Sequence, residues 1–214
     1  MDFLLSDIHS DLASTVDAIL TKADMPTVIR AYAAGDPASA TPVLSQLAEA
    51  GICGLVLAEE HGGPGAGVTE LVVAMEQLGR HGMPGPIVES LAVAPKLLGD
   101  CGLHQRLAPL AEGTPVSCAI EHWQPNAADA PNAAQVYLLA SGTLSVARIA
   151  STPASVDPTR TLSTVAVDTV LVEDVNLPDA AVSAADLGAL ATAAYLLGLG
   201  QTMLTLAAEY AQSR

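Results

Sequence analysis

The chain has 214 residues, half of them apolar and 14% charged, with a formal net charge of −15. That length and apolar content suffice for a buried core and exclude disorder over most of the chain. Only two lysines are present, Lys22 and Lys96, so the basic stripe of a nucleic-acid binder is missing, and attraction to an anionic membrane surface is disfavoured with it.

Aromatics make up 3% of the chain and alanine supplies 39 residues, so the core must be built from Ala, Leu and Val. Alanine favours helix, although a GC-rich coding sequence explains the count equally well. The N-terminal run Met1-Asp2-Phe3-Leu4-Leu5-Ser6 has no basic region and does not read as a signal peptide. Cys53, Cys101 and Cys118 form no Cys-x-x-Cys pair and read as reduced thiols of a cytoplasmic protein, with no metal site.

In chain order, residues 1–113 read as a helical domain. Leu5, Ile8, Leu12, Val16, Ile19 and Leu20 recur at three- and four-residue steps, one apolar stripe with Ser6 as N-cap. Thr41-Pro42 opens a helix that Gly51 stops. Gly62 to Gly67 form a turn, and Val68 to Arg80 a helix with Leu71, Val72, Met75 and Leu78 on one face. Helices at about 87–99 and 103–111 follow.

Residues 114–182 change pattern. Val116, Cys118 and Ile120 alternate with small residues, as do the runs around 136–139, 144–146 and 165–172, with turns between them. A small antiparallel β domain is expected, short for a complete barrel. Residues 183–214 read as one long helix, ~48 Å at the α-helical rise, apolar almost all round until Glu209. It should be buried in a bundle or between subunits. Its longest apolar run, Ala189 to Gly200, is too short to span a bilayer. The expected fold class is α+β: a helical domain, a β domain, and the first helix of a C-terminal helical domain that is otherwise missing.

Local motifs carry little chemistry by themselves. His61-Gly62-Gly63-Pro64-Gly65 resembles an esterase oxyanion loop, but no serine has glycine at both −2 and +2, so the nucleophile elbow is absent. No Lys-Ser/Thr follows the glycines as a phosphate loop requires. Gly198-x-Gly200 reads as small residues for close helix packing, Glu59-Glu60 as a surface turn, and Glu76–Arg80 as a solvated i,i+4 pair.

The segments together say more. Gly54-Leu-Val-Leu-Ala-Glu59-Glu60-His61-Gly62-Gly63-Pro-Gly65-Ala-Gly67, then Glu76-Gln-Leu78-Gly79-Arg80, resembles the N-terminal domain of acyl-CoA dehydrogenases. Asp157-Pro-Thr-Arg160-Thr-Leu162 resembles the family's D-x-T-R-x-L, and Ala208-Glu209-Tyr210-Ala211-Gln212-Ser213-Arg214 its A-x-x-Y-A-x-x-R. The resemblance implies FAD-dependent α,β-dehydrogenation of an acyl-CoA thioester, with an electron-transferring flavoprotein as acceptor. By position it assigns cofactor contacts to Ser117, Ala119 and Ile120, and the pyrophosphate of a neighbouring subunit's flavin to Arg214.

Three departures qualify that picture. No convincing catalytic base is present, since Asp186 and Glu209 both sit poorly, so no catalytic residue is assigned. The flavin-strand hydroxyl is replaced by Ile120 and its Gly-Ser pair is lost. The next hairpin is deleted. The chain therefore most resembles a degenerate or truncated subunit of actinobacterial heteromeric acyl-CoA dehydrogenases acting on steroid-derived thioesters, sharing FAD with a second, catalytic subunit. The alternatives are a fragment of an ordinary homotetrameric enzyme and a catalytically dead interaction protein.

Overall fold

A computed structural model describes residues 4–173 and 177–214. The helical part contains α1 (Asp7–Lys22), α2 (Met25–Ala33), α3 (Thr41–Glu49), α4 (Val68–Arg80), α5 (Ala94–Asp100) and α6 (Ala108–Ala111). Ser6 caps α1 as expected, with His9 Nδ1 accepting from Ser6 N at 3.1 Å. Val16 and Leu20 of its stripe are buried, while Leu5 and Ile8 are exposed. Sequence periodicity passed over α2, a nine-residue helix. It follows Asp24, which sits in the left-handed region at φ +50° and interrupts the pattern. The α4 bounds are those expected, and Leu71, Met75 and Leu78 are fully buried. Two His–carboxylate contacts fasten α1 to α4 and the residue after it: His9 Nε2 to Glu70 at 3.2 Å, and His81 Nε2 to Asp17 at 2.8 Å.

The sheet corrects the expectation of a purely antiparallel domain. Its order is β1-β3-β4-β5-β2, from β1 (Val116–Ile120), β2 (Ala127–Ala128), β3 (Gln135–Ala140), β4 (Thr143–Ser151) and β5 (Leu162–Val172). β1 and β3 are parallel, with Val116 opposite Gln135 and Ile120 opposite Leu139. The other pairs are antiparallel. Every residue of β1 is buried, so it reads as a core strand and not a half-exposed one.

The last helix, α7, runs from Leu177 to Gln212, starting six residues earlier than predicted. At 36 residues it is about 54 Å long. Its middle lies against α4 at a contact only glycine permits. A Cβ at Gly79 would come within 1.9 Å of Tyr195 O, and one at Gly198 within 1.9 Å of Glu76 O. The small-residue reading of Gly198 therefore holds, but Gly200 meets nothing within 4 Å. The backbones touch, and Thr202 Oγ1 donates to Arg80 O at 2.8 Å.

The segment Asp179–Gln212 is, by length and composition, long and apolar enough to cross a membrane, which corrects the expectation drawn from the apolar run alone. Its packing argues for another use. The same crossing brings Glu76 and Arg80 against α7, and a bilayer core would have to take in both charges.

The two glycines predict opposite responses to the same substitution. Gly198→Ala, or Gly79→Ala, must push the helices apart and lower stability by about 2 kcal/mol or more. Gly200→Ala, with open space around it, should raise stability by about 0.5–1 kcal/mol through helix propensity. Urea denaturation of the three variants checks this, and a loss in Gly200→Ala equal to that in Gly198→Ala contradicts it.

Candidate functional site

The predicted cofactor strand is closed by the chain's own groups. Ser117 and Ala119 are fully buried and Ile120 is 1% exposed. The Ser117 hydroxyl donates to Ala128 O at 2.6 Å. Along the free edge of β1, Val116 N donates to Ser90 Oγ at 3.0 Å, Cys118 O accepts from Gln124 Nε2 at 3.4 Å, and Ile120 N donates to Gln124 O at 2.8 Å. The turn 120–124 folds back on the strand end, where a flavin ring would need exposed donors. The residues on β1 do not fit a flavin edge. Arg214 stands apart from them, exposed at the end of α7, with its guanidinium 4.8 Å from the Tyr210 ring centroid. Asp186 and Glu209 are exposed on the same helix.

The glycine loop is equally committed. Gly62, Gly63 and Gly65 donate their amides to Glu59 O, Ala58 O and Leu57 O, leaving none for an oxyanion. Gly63 is required by packing, since a Cβ there would meet Leu57 O at 2.2 Å. Among the cysteines, Cys53 and Cys118 are buried and Cys101 is half-buried. Burial pushes the Cys53 thiol up to about 12, which suits an inert core thiol.

The most developed polar cluster lies at the junction of the helical part and the sheet. Between α4 and α5 the chain forms a π-helical turn, Glu89–Val93. It directs Glu89 inward, where the residue is 1% exposed. Arg160 Nη2 donates to Glu89 Oε1 at 3.1 Å, and Nη1 donates to Gly85 O at 3.1 Å and Asp129 Oδ2 at 3.3 Å. Asp129, fully buried, also accepts from Thr161 N at 2.7 Å. Burial raises the Asp129 carboxyl above its ordinary value, against the opposing pull of the Thr161 amide and Arg160. One guanidinium thus ties two buried acids from opposite parts of the molecule.

Arg160 also forms part of the wall of an apolar cavity of about 490 Å³, within the usual size range for small-molecule sites. The other walls are the Gly82–Val88 strap and α7 residues Thr192, Tyr195, Leu196 and Leu199. Tyr195 Oη donates to Met83 O at 2.9 Å and pins the strap to the helix. Sequence reasoning noted Arg160 only as a motif letter and missed the cavity. The signal was there in the two charged motif positions, Asp157 and Arg160, flanking a turn.

Comparison with known proteins agrees with the architecture. Residues 6–106 match the family model described as acyl-CoA dehydrogenase, N-terminal domain. A comparison with curated proteins gives no match. Among solved structures, butyryl-CoA dehydrogenase from Megasphaera elsdenii superposes with a TM-score of 0.80 at 18% identity, over 100% of this chain and 71% of that one. The Tcur3481-Tcur3483 steroid ACAD G363A variant gives 0.76 at 22% identity, over 97% and 67%. The ChsE4-ChsE5 complex from Mycobacterium tuberculosis gives 0.73 at 19%, over 100% and 69%. At these identities the likeness shows the fold. This chain spans about two thirds of each.

Removing the shared guanidinium should expose the cost of the two buried acids. Arg160→Met is expected to lose about 3 kcal/mol at pH 7, toward the low end for a buried pair because Arg160 itself is 41% exposed. A carboxyl whose folded value is raised favours folding where it is protonated and opposes it as pH rises through that value. The deficit should therefore shrink from pH 7 toward pH 5, as seen in urea denaturation. A deficit independent of pH contradicts the role given to Asp129.

Proposed function

We propose, for a chain that belongs by its N-terminal domain and its fold to the acyl-CoA dehydrogenase family, that it is the non-catalytic half of a two-subunit dehydrogenase. The observation that carries this is a division within α7. Its first part packs against the helical domain, while Leu196, Leu197, Met203, Leu204, Leu206 and Tyr210 are each more than half exposed. A row of large apolar side chains on that scale marks a contact surface. The occupant is a second subunit of the same fold, which covers this face and carries the carboxylate that takes the α-proton.

Two further observations support the reading. The edge of β1 is closed, so this chain does not furnish the flavin-ring contacts and the partner does. Arg214 is exposed near the apolar row and has the charge and fork geometry to meet a diphosphate held by the neighbour. The cofactor of the assembly is FAD, and it supplies the hydride acceptor. An electron-transferring flavoprotein takes the electrons onward. This chain's contribution to the acyl thioester is the wall of the 490 Å³ cavity. The Tcur3481-Tcur3483 steroid ACAD among the structural neighbours makes a steroid-sized acyl group the favoured substrate class.

Coexpression with a complete acyl-CoA dehydrogenase subunit tests this. The chain purified alone should lack the visible absorbance of flavin, and the complex should show it with thioester-dependent bleaching. A flavin-loaded, active chain by itself overturns the reading. A stable complex without flavin leaves only an interaction protein on this scaffold. Leu204→Asp, at a position 72% exposed, should weaken the complex at least about tenfold while leaving thermal stability of the free chain within ~0.5 kcal/mol.

A further inference from the structure

The cavity's polar wall is unequal in charge. Among the described residues, Arg160 is the one basic residue lining it, and both its Nη groups are committed to Gly85 O and to the buried carboxylates of Glu89 and Asp129. Asp157 lines the same wall, its Oδ1 held by Thr159 N and Thr159 Oγ1 at 2.8 and 2.7 Å. Two buried acids therefore hold the guanidinium, and a third acid, Asp157, lines the same cavity. A carboxylate entering here finds both Nη groups of Arg160 engaged, and drawing one away from Glu89 or Asp129 would leave a buried charge without its partner. The neutral groups differ. Thr159, Thr192 and Tyr195 line the cavity with their hydroxyl protons already given to Asp157 Oδ1, Gly188 O and Met83 O, so their oxygens remain as acceptors for an uncharged hydroxyl.

Resting on the reading above that the cavity takes an acyl tail, we propose that it selects tails that are uncharged to their far end. It admits an apolar or hydroxyl-ended group and rejects one ending in a carboxylate. The phenol of Tyr195 is a built-in reporter of the local environment. Burial pushes it up to about 12, with Asp157 and Asp129 adding in the same direction and Arg160 opposing. A second anion at that position meets the same desolvation and the same acids.

Calorimetric titration of the protein, in its complex if one forms, with decanoyl-CoA, 10-hydroxydecanoyl-CoA and decanedioyl-CoA tests the proposal. The first two should bind at least about tenfold tighter than the third, the scale of one like-charge contact. Asp157→Asn should narrow that gap at least about threefold, because it removes an acid without disturbing the buried pair. Decanedioyl-CoA binding as tightly as decanoyl-CoA overturns the charge selection and leaves the acyl reading standing. Failure of all three thioesters and of a CoA thioester with a steroid-sized acyl group overturns the acyl reading. In that event 1-octanol and octanoate, which need no CoA site, decide the charge rule alone: octanol binding at least about tenfold tighter supports it, and equal binding overturns it.

Discussion

The fold depends on one backbone-to-backbone crossing. Gly79 of α4 and Gly198 of α7 face the carbonyls of Tyr195 and Glu76, and a single methyl at either position has no room. This contact sets the distance of α7 from the helical domain, and several features follow from that distance. Tyr195 is brought close enough to hold the Met83 carbonyl. The strap between Gly82 and Val88 then becomes one wall of a cavity whose opposite wall is α7 itself. Past Thr202, which still donates to Arg80 O, the apolar residues Met203, Leu204, Leu206 and Tyr210 are left in solvent.

A second constraint joins the sheet to this frame. The π-helical turn at Glu89–Val93 turns Glu89 inward, and Arg160 from the loop before β5 meets it and Asp129 together. Two acids sharing one guanidinium are stable only while all three are in place. The arrangement therefore fixes the sheet against the helices, and it puts the charged end of the Asp157–Arg160 turn at the cavity wall. Architecture and selectivity come from the same residues.

Much of this was legible in the chain, for identifiable reasons. Val68–Arg80 has a full apolar stripe between a glycine turn and a terminal arginine, so periodicity located it to the residue. Pro42 announced the start of α3, although Thr41 is its first helical residue and not its cap, with Ala40 at the N-cap position and no side-chain cap bond. Local pattern could not give the parallel pairing of β1 with β3, because the partner of a short buried strand is chosen by tertiary packing. The partners of Arg160 lie 71 and 31 residues away, so the motif letter was visible and its contacts were not. The strand β1 was legible from its alternation, but the turn at 120–124 that closes its edge depends on Gln124 reaching back, which no spacing rule encodes.

The central claim is that α7 has an inner half that belongs to this chain and an outer half that belongs to a complex. Amide hydrogen exchange along the helix tests it most directly. In the isolated chain, amides around Ala191–Gly198 should be protected by the crossing with α4, while those of 203–212 exchange near the rate of an unsupported helix. On addition of the partner subunit, protection should spread through 203–212 and change little before Gly198. Equal protection along the whole helix in the isolated chain, or no change on adding a partner, contradicts the account.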